Sequence, residues 1–168
     1  MIQDDMGMED QVSVKAGKLL EDGIFLEAHL NVKGVLRDSD GEIIDEQEVS
    51  NQVQTYMKTH VADALAAVSG ENAMGWMSIG TGTGQGVAAT ELATQLTRQA
   101  LDGGTPTHAG AVVTYTRTFA AGEGTGTVTE AGVHESAAAG SMGLYTGALS
   151  FAKGAGDSLA LTWTLTIS

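Results

Sequence analysis

Twelve residues, Asp157–Ser168 (DSLALTWTLTIS), constrain the fold more than any other stretch of the chain. Leu159, Leu161, Trp163, Leu165 and Ile167 alternate with Ala160, Thr162, Thr164, Thr166 and Ser168. Successive side chains of a strand point to opposite faces, so this pattern makes one apolar face and one hydroxyl face. A helix would scatter both sets around its axis and bury neither. The segment therefore predicts a half-buried antiparallel strand, dry on one side and wet on the other. Its β-branched threonines suit that pleated surface.

The same two-residue period recurs upstream. Ala111–Ala120 places Val113, Tyr115, Arg117 and Phe119 on one side and Val112, Thr114, Thr116 and Thr118 on the other. A strand from Ile24 sets Leu26, Ala28, Leu30 and Val32 against Glu27, His29, Asn31 and Lys33, and bends at Gly34 into Val35–Arg37. Asp38-Ser39-Asp40-Gly41 reads as a hairpin turn, since Asp and Gly tolerate a left-handed backbone, with Glu42–Val49 as the return strand. Trp76–Ile79, Leu96–Leu101, Thr127–Val133 and Leu144–Phe151 complete a set of about eight strands. One helix interrupts them: Asn51 is an expected N-cap with Gln54 as its capping-box partner, and Val53, Met57, Val61, Ala64 or Leu65, and Val68 form an apolar stripe. A second short helix is expected around Thr90–Gln95. The pattern lacks strand–helix–strand alternation after Gly86. It predicts a mainly β fold, an antiparallel, jelly-roll-like β-sandwich of about eight strands with one or two short helices. Residues 23–168 form the single domain, with Trp163, Leu161, Leu165, Phe119 and Trp76 in its core. Residues 1–22 read as an arm, charged by Asp4, Asp5, Glu9 and Asp10. Its Val12, Val14, Leu19 and Leu20 are available to dock on a neighbouring subunit, or the arm hangs free.

Composition removes several function classes. The 168 residues contain no cysteine, so disulfides, thiolate nucleophiles and cysteine-ligated metals are excluded. Eight Lys plus Arg stand against 21 Asp plus Glu, a net charge of −13. Nucleic acid and anionic membranes repel such a surface, so neither is an expected partner. The acidity reads either as a solubility device or as adaptation to a saline environment. No apolar run approaches the roughly 20 residues of a membrane-spanning helix. The first ten residues, MIQDDMGMED, lack the basic head and apolar middle of a signal peptide. The expectation is a protein made and used inside the producing cell, or released without a signal, as particles are by lysis.

Three segments invite a chemical reading. Gly80–Gly86 (GTGTGQG) follows an apolar strand and precedes the expected short helix, the context in which glycine loops cradle phosphate. It has no Gly-Lys-Ser/Thr and no second parallel strand, so a flexible connecting loop is the favoured reading and a phosphate-ligand module the alternative. Asp38, Asp40 and Glu42, on an acidic turn, are weak candidates for a hard cation such as calcium. The EF-hand register is not met, and a solvated acidic hairpin accounts for them. His29, His60, His108 and His134 show no metal spacing. Ser141, in Gly140-Ser141-Met142-Gly143, falls one residue short of a nucleophile elbow. No nucleophile, acid and base converge on one loop cluster, so no catalytic residue and no cofactor are expected.

The order of these elements carries a resemblance. VLRDSDGEIIDEQEVSNQV, TYMKTHVADALA, IGTGTG, ATELATQL, VVTYTRTF, GTVTEAGV and SLALTWTLTI follow one another from about Val32 to Ser168. The series resembles a group of small structural proteins of tailed bacterial and archaeal viruses, in which a phrase like GTITEAGLF precedes a final strand like LTITWTITF. The resemblance implies a non-enzymatic β-rich module that assembles on a virus particle in the host cytoplasm as a homo-oligomer, such as a trimer. Its partners would be viral structural proteins. A capsid decoration or turret protein bound to the major capsid protein is the leading expectation, and a tail or tail-fibre component used in host attachment is the alternative.

Overall fold

The computed structural model describes residues 28–66 and 72–167. The expected arm, residues 1–22, and the start of the strand from Ile24 lie outside the described residues, as does Val68 of the helical stripe. In chain order the elements are β1 (Ala28–Arg37), β2 (Ile43–Ser50), β3 (Gln52–Val53), α1 (Thr55–Leu65), β4 (Trp76–Gly80), β5 (Gln95–Ala100) and β6 (Thr107–Ala109). There follow β7 (Val112–Phe119), β8 (Gly126–Val128), β9 (Glu130–His134), β10 (Met142–Thr146), β11 (Phe151–Lys153) and β12 (Ser158–Ile167). The fold is mainly β, an antiparallel sandwich. One five-stranded sheet has the order β2-β1-β12-β7-β6, a second has β3-β10-β9-β4-β5, and β11 pairs with β8 in a small third ribbon. The eight strands of five or more residues are the eight anticipated. The other four are two or three residues long, too short to leave a periodic trace.

The alternation in β12 does what it predicts. The strand lies at the centre of the first sheet, with β1 on one side and β7 on the other. Leu159, Leu161 and Trp163 are fully buried and Leu165 nearly so. Trp163 lies opposite Val32 on β1 and Tyr115 on β7, and Leu159 opposite Leu36 and Phe119. A one-residue slip would turn this whole set to water, so register follows from burial. From the second sheet Met77, Ile79, Ala131, Val133 and Leu144 join the same core. Gly34 sits where β1 crosses under the Phe151 ring. A Cβ there would stand 2.5 Å from the ring edge, so only glycine lets the ring close over the strand.

The turn at Asp38–Gly41 forms as expected, with Gly41 at φ 86°. Other local expectations yield to pairing from far along the chain. The helix begins at Thr55 with Gln54, not Asn51, at its N-cap. Gln52 and Val53 are held as a strand by Tyr145 and Leu144 of β10, and the Gln54 N–H donates to the Gly143 carbonyl at 2.9 Å. Asn51 is left ahead of β3, where its side-chain amide is buried and finds no hydrogen-bond partner among the described residues. The helix expected around Thr90–Gln95 does not form; that stretch is irregular and runs into β5. Thr127–Val133 divides at Thr129 into β8 and β9, and Leu144–Phe151 divides into β10 and β11. Trp76, expected in the core, is only half-buried at the start of β4, whereas Phe119 is fully buried.

Replacing Trp163 with alanine opens a large cavity between three strands. The expected cost is about 3–5 kcal/mol, read as a lower midpoint in urea unfolding; an unchanged midpoint would show that the apolar face of β12 is not core.

Candidate functional site

The glycine loop is built around a carboxylate of the chain itself. β4 ends at Gly80, which lies opposite Glu130, the first residue of β9. Glu130 is fully buried. Its Oε1 accepts the N–H of Gly82 at 3.0 Å and of Thr94 at 2.8 Å, and its Oε2 accepts the N–H of Ala93 at 3.1 Å. A Cβ at Gly80 would lie 2.7 Å from Oε1, and one at Gly82 would lie 2.6 Å from it. The two glycines thus serve close approach of backbone to carboxylate. Thr129 tightens the same contact, its hydroxyl donating to the Gly82 carbonyl at 2.8 Å and its N–H to the Gly80 carbonyl at 2.9 Å. The sequence favoured a flexible connecting loop, with a phosphate ligand as the alternative; the structure instead seats a carboxylate of the chain in it. The N–H of Gly82, which a phosphate would need, already points at Glu130.

The loop from Thr81 to Thr94 folds across the outer face of the second sheet and closes a small second core there. Leu92 packs with Met142 and Tyr145 beneath it. The Gln85 N–H reaches the Tyr145 phenol oxygen at 3.4 Å. Burial first, and the neighbouring Glu130 charge after it, hold that phenol above its ordinary pKa. With both faces of the sheet covered, Met77, Ser78 and Ile79 are all buried, as are all five residues of β9.

Ser78 and His134 meet inside this covered sheet. Ser78 Oγ lies 2.6 Å from His134 Nε2, and both residues are fully buried. The imidazole Nδ1 finds no partner among the described residues. Burial, with the nearby Arg98 charge adding to it, lowers the His134 pKa to about 3, so the ring is neutral at pH 7. Arg98 pairs with Glu91 and donates to the carbonyls of Ser136 at 3.3 Å and Ala138 at 2.5 Å. It ties the loop to the end of β9. Glu135, next to His134, takes hydrogen bonds from Tyr56 and Asn72. Ser141 is not brought to His134; its Oγ accepts the Ser136 N–H at 3.2 Å. A serine and a histidine in contact under the surface form a structural pair, with no face open to a substrate.

The acidic turn is equally local. Asp38 Oδ1 accepts the N–H groups of Asp40 at 2.9 Å and Glu42 at 3.0 Å. Asp38 shapes the turn, while Asp40 and Glu42 are exposed. Among the described residues no three His, Asp or Glu side chains converge as a metal site would require.

Two surfaces stand open among the described residues. The outer face of the first sheet carries cross-strand rows of hydroxyls: Thr107, Thr114 and Thr164 continue to Asn31, and Thr116 and Thr162 to Lys33. The second is a groove of about 550 Å³ beside α1, floored by Met57 and Leu144 and bordered by Val53, Val61, Val87 and Ile167. Val61, Val87 and Ile167 are 39%, 50% and 38% exposed.

Replacing Glu130 with alanine removes the acceptor of three part-buried N–H groups, those of Gly82, Ala93 and Thr94. At about 1 kcal/mol for each hydrogen bond lost, the loss should exceed that of Glu130→Gln, which keeps one oxygen in the cradle. Thermal unfolding of the two variants gives the order, and equal melting would sink this account of the loop. His134 predicts acid sensitivity. Below pH 6.5 the unfolded chain protonates this imidazole, while the fold keeps it neutral until about pH 3. Its contribution is intact above pH 6.5 and lost as pH falls from there toward 3, with a slope approaching ~1.4 kcal/mol per pH unit. Urea titrations between pH 7 and 4 should show this slope, and His134→Asn should flatten it. Compared with models of known protein families, with curated proteins and with solved structures, the chain matches none of them.

Proposed function

We propose that this chain is a structural protein of a virus particle, without catalytic activity, seated on the head through contacts with the major capsid protein. The observation that carries the reading is the Glu130 cradle. IGTGTG and TEAGV are two of the phrases on which the resemblance to small virion proteins rests. They lie nearly fifty residues apart and meet in one buried contact: Gly80 and Gly82 make room for the carboxylate of Glu130. Joined in space, the two phrases hold the loop between β4 and β5 to the second sheet. The open surfaces agree with an assembly role. A sheet face of cross-strand threonines offers a flat hydrogen-bonding surface to another protein, and the −13 charge discourages contact with packaged nucleic acid.

Gold-labelled antibody on intact particles of the encoding virus, viewed by electron microscopy, tests the reading. Label over the head is expected. Label at the tail would replace this reading with a tail or fibre role. Absence of the chain from a mass-spectrometric census of purified particles would end the virion reading altogether.

A further inference from the structure

We propose that the groove beside α1 is the seat of the chain's own residues 19–26, whose apolar side chains enter it from the start of β1. This inference stands apart from the virion reading and depends only on the geometry around the groove.

Four observations lead to it. The first is where the described chain starts. Ala28 is in register with Ile167 at the end of β12, and Ile167 borders the groove together with Leu165. The first described residue of β1 thus lies at the end of the sheet beside the hollow. Nine extended residues reach about 30 Å, so residues 19–27 need no detour to cross it. The second is chemistry. Leu19, Leu20, Ile24, Phe25 and Leu26 place five large apolar residues within eight positions. The groove walls, Val53, Met57, Val61 and Val87, carry no polar atoms in their side chains. The third is charge. Lys58 is the charged side chain of the described groove lining, and residues 19–27 contain Glu21, Asp22 and Glu27 with no Lys or Arg. The fourth is hydrogen bonding. β3 forms the edge of the second sheet, and Asn51 beside it keeps both amide atoms buried and unpartnered among the described residues. A strand arriving along this edge supplies the donor and acceptor that such an amide matches. A short tether also favours the same molecule over a neighbouring one, because it holds the segment at a high effective concentration.

The absence of cysteine from the full chain permits a direct test. Val61→Cys places a thiol on the groove wall, and Ile24→Cys or Phe25→Cys places one on the segment, with the two neighbours covering opposite side-chain directions. Leu96→Cys, on the far edge of the second sheet, is the control. Each full-length double variant is oxidised with oxidised glutathione and read by thiol titration and non-reducing electrophoresis. The expected result is an intramolecular disulfide between Val61→Cys and at least one segment position, formed faster than any pairing with Leu96→Cys. Cross-linked dimers in place of cross-linked monomers would overturn the proposal in favour of exchange between copies. Pairing no faster than the Leu96→Cys control, from both segment positions, would overturn the docking itself.

Discussion

A carboxylate buried among backbone N–H groups is the contact on which the second sheet depends. Glu130 enters the interior because Gly82, Ala93 and Thr94 all turn their N–H groups to it. A buried charge without such partners would be strongly unfavourable. The contact reaches well beyond its own atoms. By holding both ends of the loop between β4 and β5, it fixes a cover over the sheet's outer face, and the cover seals Leu92, Met142 and Tyr145 into a second small core. The covered face in turn is why Ser78 and His134 can sit wholly away from water. One side chain on β9 thereby converts an open sheet into one packed on both faces, with the glycines as the condition for its approach.

The two sheets differ in how their sequences advertise them. In the first sheet, β12 and β7 have one dry and one wet face, so their alternation was legible: Trp163 against Tyr115, Leu159 against Phe119, threonines outward. In the second sheet, both faces are dry. Met77, Ser78 and Ile79 follow one another into the interior, and a two-residue period has nothing to alternate between. Trp76 illustrates the limit. Its size argued for the core, but as the first residue of β4 it stands at the sheet's margin and stays half-buried.

The candidate site was legible in its parts and not in its assembly. The glycine run read as a flexible connecting loop, with a phosphate ligand as the alternative. The actual partner lies 48 residues from Gly82, a separation that no local pattern spans. The same long-range contact removed the expected second helix, because the N–H groups of Ala93 and Thr94 turn to Glu130. At Asn51 a good capping residue lost its helix to strand pairing with β10. In each case a contact distant in sequence outweighed a propensity worth about one kcal/mol.

The central place of β12 bears on the order in which the molecule can be made. β1 and β7 flank it and have no direct pairing with each other; each is joined to the sheet through residues 158–167. During synthesis the first of these strands therefore emerges some 120 residues before the partner that will shield its inner face. The β1–β2 hairpin can close early, but an isolated hairpin is marginally stable in water. Until β12 leaves the ribosome, Val32, Leu36, Tyr115 and Phe119 lack their central neighbour. Such non-local topologies fold slowly, over milliseconds to seconds, and expose unpaired edges while they wait. The strand that contributes most to the described core is thus the last of the described strands to arrive, and the nascent chain is most prone to aggregation just before that strand emerges.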